Sequence, residues 1–370
     1  MIKDGWVEID VTETTPVSQN PKYVETTAEN VAGSITFDED TVNIVGYKAG
    51  RPFPYDPDVN DPLAGLKMLW NYRYFQTEGD TQYVHMSWLY KNMKNARVER
   101  ELKLEVHLRR LIGRVSIEPL PNVPVNPSQI NNSFYMRIFE PFDLSNTQLL
   151  IHTYEDDNRR PDAWLYLGFQ RRVRRLATGQ VTDAFLGTDL MIEDFRGYNT
   201  RISEYEWKFI ETKYILSPIY HRKDVLAWDE SLWNFRGVVK EGSHGRGNCY
   251  PAVPYQLRKV YVVDGKPRDS SHPLSSRYNY LDVETATFIY SEVYDNKGAP
   301  WKLFTIPYSH PDTSPYLSNH GTGGMNWSQP SQIDIQVEHC TTLHFNTVTN
   351  DPELEDPNVF NVQHLRKTGR

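Results

Sequence analysis

In VERELKLEVHLR, residues 98–109, Val98, Leu102, Leu104, Val106 and Leu108 share one parity. Glu99, Glu101, Lys103, Glu105, His107 and Arg109 share the other. An extended chain sends successive side chains to opposite faces, so this spacing predicts a long strand with one dry face and one wet face. The pattern recurs. Tyr205, Trp207 and Phe209 oppose Glu204, Glu206 and Lys208, and Ile333, Ile335 and Val337 oppose Asp334, Gln336 and Glu338. Trp70, Tyr72 and Tyr74 alternate with Asn71, Arg73 and Phe75 and read the same way. Asp295-Asn296-Lys297-Gly298 between two strand-like runs predicts a hairpin, and Asp264-Gly265 predicts another turn. Short helices are expected at 63–70, 183–192 and 359–367.

Long one-sided antiparallel strands must cover their apolar faces. A sandwich, a closed barrel or an open sheet curled around a helix would each do so. The strands do not alternate with amphipathic helices, which argues against a parallel α/β sheet. No short repeat and no Gly/Ser linker divides the chain. The expected organisation is an arm at 1–33, a single large β domain at 34–346, and a C-terminal tail at 347–370 carrying a short helix.

The chain has 370 residues and a net charge of −8, from 40 Lys+Arg and 48 Asp+Glu. An acidic chain is a poor general binder of phosphate backbones, so no nucleic-acid partner is expected. Nine Trp, 23 Tyr and 15 Phe make 13% of the residues, which favours strands. No run reaches the ~18 apolar residues of a membrane span. Met1–Val11, with Lys3, Asp4, Glu8 and Asp10, has no apolar core of an export signal. The expectation is therefore either a cytosolic protein or a trimmed mature form of an exported one. Cys249 and Cys340 could be joined or free, and two cysteines form no disulfide framework.

The most unusual segment is AWLYLGFQRRVRRL at 163–176. An aromatic strand from Trp164 to Phe169 feeds Arg171, Arg172, Arg174 and Arg175. If the strand continued, Arg172 and Arg174 would face one way and Arg171, Val173 and Arg175 the other. Guanidinium forks beside aromatic rings suit carboxylate or phosphate head groups. The plainer reading pairs these arginines with Asp156, Asp157, Glu193 and Asp194 in a solvated ladder. Trp164, Tyr166, Tyr205 and Trp207 alternate along predicted strands. They read as core filling or as the wall of a concave apolar surface that keeps room for a greasy guest.

Signs of catalysis are weak. Gly242-Ser243-His244-Gly245 lacks the order of a nucleophile elbow. Gly321-Thr322-Gly323-Gly324 lacks the Lys-Ser/Thr of a phosphate loop. His339 and Cys340 are adjacent, so on a strand they point apart, and His344 has no partner at metal-site spacing. The Asp56–Asp61 run fails as a calcium loop, because Asp61 stands where glycine belongs and Lys67 where the bidentate glutamate belongs. No catalytic residue, metal or cofactor is assigned.

YKAGRPFP at 47–54, AWLYLGFQRRVRRL at 163–176, DLMIEDFRGYN at 189–199, YEWKFIETKYI at 205–215 and RYNYLDVETATFIYSEVYDNKGAPWKL at 277–303 together resemble a Gram-negative bacterial family of unknown function, described as outer-membrane lipoprotein-sorting-like. The likeness runs from about Pro21 to Phe345. It implies a mainly β fold similar to the lipoprotein carriers and receptors of the Lol type. That fold is a large curved antiparallel sheet, an open or half barrel, wrapped around a short helical plug. The likeness also implies periplasmic localisation, possible outer-membrane association and the company of an envelope transporter. It carries over no catalytic residues. The reading that follows is a non-enzymatic periplasmic carrier or chaperone for a lipid-like ligand or lipoprotein acyl chain, contacted by Trp164, Tyr166, Arg171, Arg172, Arg174, Arg175, Tyr205 and Trp207. The alternatives are a hydrolase acting on a lipid or polymer ester, with its nucleophile in the 242–250 or 319–330 loops, and a structural adaptor of a transport complex.

Overall fold

In the computed structural model, which describes residues 2–17, 19–75, 79–176, 182–220, 243–309, 325–349 and 351–369, the alternating stretch is the strand Val98–Arg110. Leu102, Leu104, Val106 and Leu108 are buried in one continuous apolar core. Twelve further strands extend its sheet. Numbered along the chain they are β1 (Thr81–Asn92), β2 (Val98–Arg110), β3 (Ile130–Glu140), β4 (Gln148–Tyr154), β5 (Asp162–Leu167), β6 (Arg172–Arg175), β7 (Tyr205–Ser217), β8 (Gln256–Pro267), β9 (Leu274–Asp282), β10 (Phe288–Asp295), β11 (Pro300–Thr305), β12 (Ser331–Asp334) and β13 (His339–Thr349).

The spatial order is β6-β5-β4-β3-β2-β1-β13-β12-β11-β10-β9-β8-β7, every pairing is antiparallel, and the sheet stays open. It therefore consists of two meanders. The first runs outward from β1 to β6 and the second inward from β7 to β13, and they meet where β1 pairs with β13. The edges β6 and β7 are neighbours in sequence but lie at opposite ends of the sheet. The segment joining them must cross its whole width.

Among the described residues, three α-helices accompany the sheet: α1 (Pro21–Ala28), α2 (Ala64–Arg73) and α3 (Val362–Thr368). Helix α2 lies on the inner face, where Met68, Leu69, Trp70 and Tyr72 join the core. This corrects the strand-like reading of 70–75. Met68 to Tyr72 are five consecutive buried residues of this helix, Asn71 among them, so burial there does not follow a 3.6-residue period and the alternation is accidental. Gly65 lets α2 sit directly on β7, since a Cβ there would stand 2.6 Å from the Trp207 backbone.

The hairpin at 295–298 forms as expected between β10 and β11. Asp264-Gly265 is not a turn. Strand β8 runs through it, and Gly265 is there because the Trp207 ring rests on its backbone, 2.3 Å from where a Cβ would be. The helix expected at 183–192 is replaced by 3₁₀ turns at Phe185–Gly187 and Ile192–Gly197.

Cys249 and Cys340 are joined, with Cα atoms 5.9 Å apart, in a small second core with Val7, Met93, Tyr250 and Ile333. No described helix is long and apolar enough to cross a membrane.

Candidate functional site

The crossing segment, residues 182–204, is a plug on the inner face of the sheet. Phe185, Leu190, Phe195 and Ile202 are buried in the main core. The Trp88 ring of β1 takes Phe185 and Phe195 edge-on at 6.1 and 5.9 Å. Between plug and sheet lies an apolar cavity of about 40 Å³. Its walls include Val84, Trp88 and Val106 from the sheet and Leu190, Phe195 and Arg196 from the plug. A cavity of about 150 Å³ is needed to hold one benzene. The expected hollow is thus present and greasy, but the protein's own side chains occupy most of it.

Polar pins add to this apolar packing of the plug. Arg277 of β9 is fully buried and donates to Glu193 Oε1 at 2.5 Å, Asp194 Oδ1 at 3.0 Å and the Gly197 carbonyl at 3.3 Å. Its guanidinium also lies 5.2 Å from the Tyr198 ring centre and 5.5 Å from that of Tyr205. Glu193 further accepts from Tyr205 Oη at 2.8 Å and contacts His272 Nε2 at 3.3 Å. Burial pushes the Glu193 carboxyl up, but Arg277 and His272 pull it below its ordinary range. Burial prevails at Asp194, which is raised despite Arg277.

A second pin is Asp189. Its backbone carbonyl accepts from Lys302 Nζ of β11, and its carboxylate accepts from Thr341 Oγ1 of β13 at 2.9 Å. Burial pushes this carboxyl up to about 7. A third is Tyr72 Oη of α2, which donates to the Arg196 carbonyl at 2.5 Å. At the far end Asp157 accepts from the amides of Ile202 and Ser203 at 3.0 and 2.7 Å and pairs with Arg73 at 2.6 Å.

The residues singled out from the sequence are not brought together. Tyr205 and Trp207 lie on β7, stacked at 5.1 Å against the plug, and Trp207 Nε1 donates to the Ile202 carbonyl at 2.8 Å. Trp164 and Tyr166 lie on β5 near the opposite edge. There they pack outward under α3 with Tyr135, Leu150 and Leu365, and Tyr166 Oη donates to the Gly369 carbonyl at 2.5 Å.

The strand does not continue from Phe169 into the arginines. A tight turn at 168–171, with Arg171 at φ 51°, folds β6 back so that Trp164 opposes Arg175 and Tyr166 opposes Val173. Arg171, Arg172, Arg174 and Arg175 are exposed. Only Arg175 of the four finds an acid among the described residues, and that acid is Asp162. The expected partners are engaged elsewhere: Asp157 with Arg73, and Glu193 and Asp194 with Arg277. None of the eight residues lines the apolar cavity.

Sequence reading expected a short helical plug but neither placed it in the irregular segment at 182–204 nor found its pins. The available signal was Glu193-Asp194 set among Met191, Ile192 and Phe195, since two acids inside an apolar run need a buried cation. The Ser243 hydroxyl receives hydrogen bonds from Lys91 Nζ at 3.1 Å and Gln329 Nε2 at 3.0 Å. The Gly321–Gly324 loop lies outside the described residues.

An open antiparallel half barrel closed over a plug, with a greasy space between them, defines the class of this molecule. The chain belongs to the family described as protein of unknown function DUF1329, whose model matches residues 1–366. Two solved structures share the fold, and a third is more distantly similar. A domain named for outer-membrane lipoprotein sorting from Vibrio parahaemolyticus is 17% identical, with a TM-score of 0.55 over 83% of this chain and 100% of that one. A DUF1329 family protein from Desulfovibrio piger is 14% identical, with a TM-score of 0.56 and the same coverage. A LolA superfamily protein from Nitrosomonas europaea is 11% identical, with a TM-score of 0.46 over 81% of this chain and 98% of that one. None of the curated proteins compared with the chain matches it.

Proposed function

We propose that this protein is a non-enzymatic periplasmic carrier that holds a lipid-like ligand or lipoprotein acyl chain against the inner face of its sheet and serves an envelope transporter. The observation that carries the reading is the apolar cavity between sheet and plug, with Arg196 and Gln82 as its few polar neighbours. A guest enters by displacing plug side chains such as Leu190 and Phe195. Exposing two such groups costs about 2–3 kcal/mol each, and a buried CH₂ returns ~0.8 kcal/mol, so a tail of about ten carbons outweighs the loss. Polar pins suit such exchange, because water can satisfy their groups once the plug lifts. The Cys249–Cys340 bond supports an oxidising compartment such as the periplasm.

Native mass spectrometry after incubation with fatty-acid-loaded vesicles tests the proposal. Wild type is expected to acquire lipid mass, and Phe195→Ala, which empties part of the cavity, to acquire more. If neither takes up lipid, the carrier reading fails.

A further inference from the structure

Two phenylalanines stand in water on adjoining turns. Phe142, in the β3–β4 turn, is 96% exposed, and Phe169, in the β5–β6 turn, is 71% exposed. The turns touch, since a Cβ on Gly168 would stand 2.3 Å from the Ser145 carbonyl oxygen. Beside them Arg171, Arg172, Val173, Tyr166 and Arg366 of α3 border an open groove of about 570 Å³. Arg171, Arg172, Arg174, Arg366 and Lys367 make no ion pair among the described residues. The acids near the turns are already neutralised, Glu140 by Lys103 at 2.7 Å and Asp143 by Arg100 at 2.8 Å. A chain of net charge −8 thus carries, at one end of its sheet, a local cationic groove next to two projecting rings.

We infer that this end of the sheet docks on an anionic lipid bilayer, with Phe142 and Phe169 entering the interface and Arg171, Arg172 and Arg366 meeting lipid phosphates. Single rings on turn tips, flanked by polar residues, offer little continuous area to a protein partner, whose interfaces gather apolar surface into one patch. They do suit a fluid interface a few ångströms deep, where a ring inserts while guanidinium groups stay at head-group level. The groove lies on the outer side of β5 and β6, away from the cavity, so docking leaves the plug untouched and does not depend on the carrier reading.

The test is flotation of the full chain with vesicles of phosphatidylcholine alone and of equal parts phosphatidylcholine and phosphatidylglycerol, at low and physiological salt. Wild type should float with the anionic vesicles only, and less at higher salt. Phe142→Ser/Phe169→Ser should weaken binding about ten-fold. Arg172→Gln and Arg366→Gln, and Arg171→Asn (which tolerates the left-handed turn), should weaken it about five-fold each. Leu257→Ser, an exposed apolar site on β8 near the opposite edge, should change nothing, and all variants should keep the wild-type melting curve. The inference is overturned by equal binding to both vesicle types or by no binding, which would leave a protein partner. It is also overturned if inorganic phosphate at millimolar level abolishes binding at constant ionic strength, which would mark a soluble-anion site.

Discussion

Replacing Arg277 by methionine removes the cation that holds the plug while nearly preserving its length. Arg277 and its partner carboxylates are all buried, at 0% exposure for Arg277, 1% for Glu193 and 2% for Asp194. In Arg277→Met, Glu193 keeps Tyr205 and His272, whereas Asp194 loses the cation it faces at 3.0 Å. Taking one partner from a buried ionic cluster costs about 3–5 kcal/mol, against a total stability of about 5–15 kcal/mol for a domain. The deficit should depend on pH in a defined direction. Glu193 sits below its ordinary range in the folded chain, so its contribution is present above about 4.5 and fades as pH falls. The stranded carboxyls of the variant take up protons more readily, so wild type and variant should converge toward pH 4. Urea unfolding followed by circular dichroism gives the global loss. Hydrogen exchange of peptides covering 182–204 should show the plug opening before the sheet. The triple variant Arg277→Met/Glu193→Gln/Asp194→Asn should recover at least half of the loss. An unchanged plug in Arg277→Met, or a triple variant no better than the single one, would refute the pinning argument.

Two further outcomes follow from buried groups. Asp189 holds its proton up to about 7 in the folded chain but titrates near 3.8 when unfolded, so stability should decline between about pH 4 and pH 7 and then level off. That interval corresponds to roughly 4 kcal/mol. Asp189→Asn should flatten the decline, matching wild type near pH 4 and exceeding it at pH 8; parallel pH curves from chemical denaturation would contradict this. The Cys249–Cys340 bond closes a loop of 91 residues, and its removal in Cys249→Ala/Cys340→Ala should cost up to about 4 kcal/mol, visible as a lower urea midpoint. A midpoint equal to that of the oxidised wild type would remove the stapling role.

The sheet is legible in the sequence because its strands have one wet face. The alternation at 98–109 and 205–209 needs no tertiary information to interpret. Helix α2 is obscured for the opposite reason: enclosed by the sheet, its residues Trp70, Asn71 and Tyr72 are all buried and lose helical periodicity. The cavity walls are half visible, since Val106 and Leu108 sit on the dry parity of the decisive strand. What faces them is not visible, because the plug is irregular and its position depends on strand order. Arg277 illustrates the limit. In sequence it is an arginine on a tyrosine-rich strand, and its partners lie more than 80 residues away. The arginines at 171–175 stand out by composition, but the turn at 168–171 that aims them does not.

The seam between β1 and β13 has a consequence for biogenesis. Each meander grows by adding a strand beside the one just made, so each half can assemble from near neighbours as the chain emerges. The halves themselves are joined by the earliest and latest strands of the sheet. A polypeptide ending short of residue 339 would lack the β1–β13 ladder that makes the two ribbons one sheet, so a vectorially delivered chain completes that sheet only when its final strand arrives.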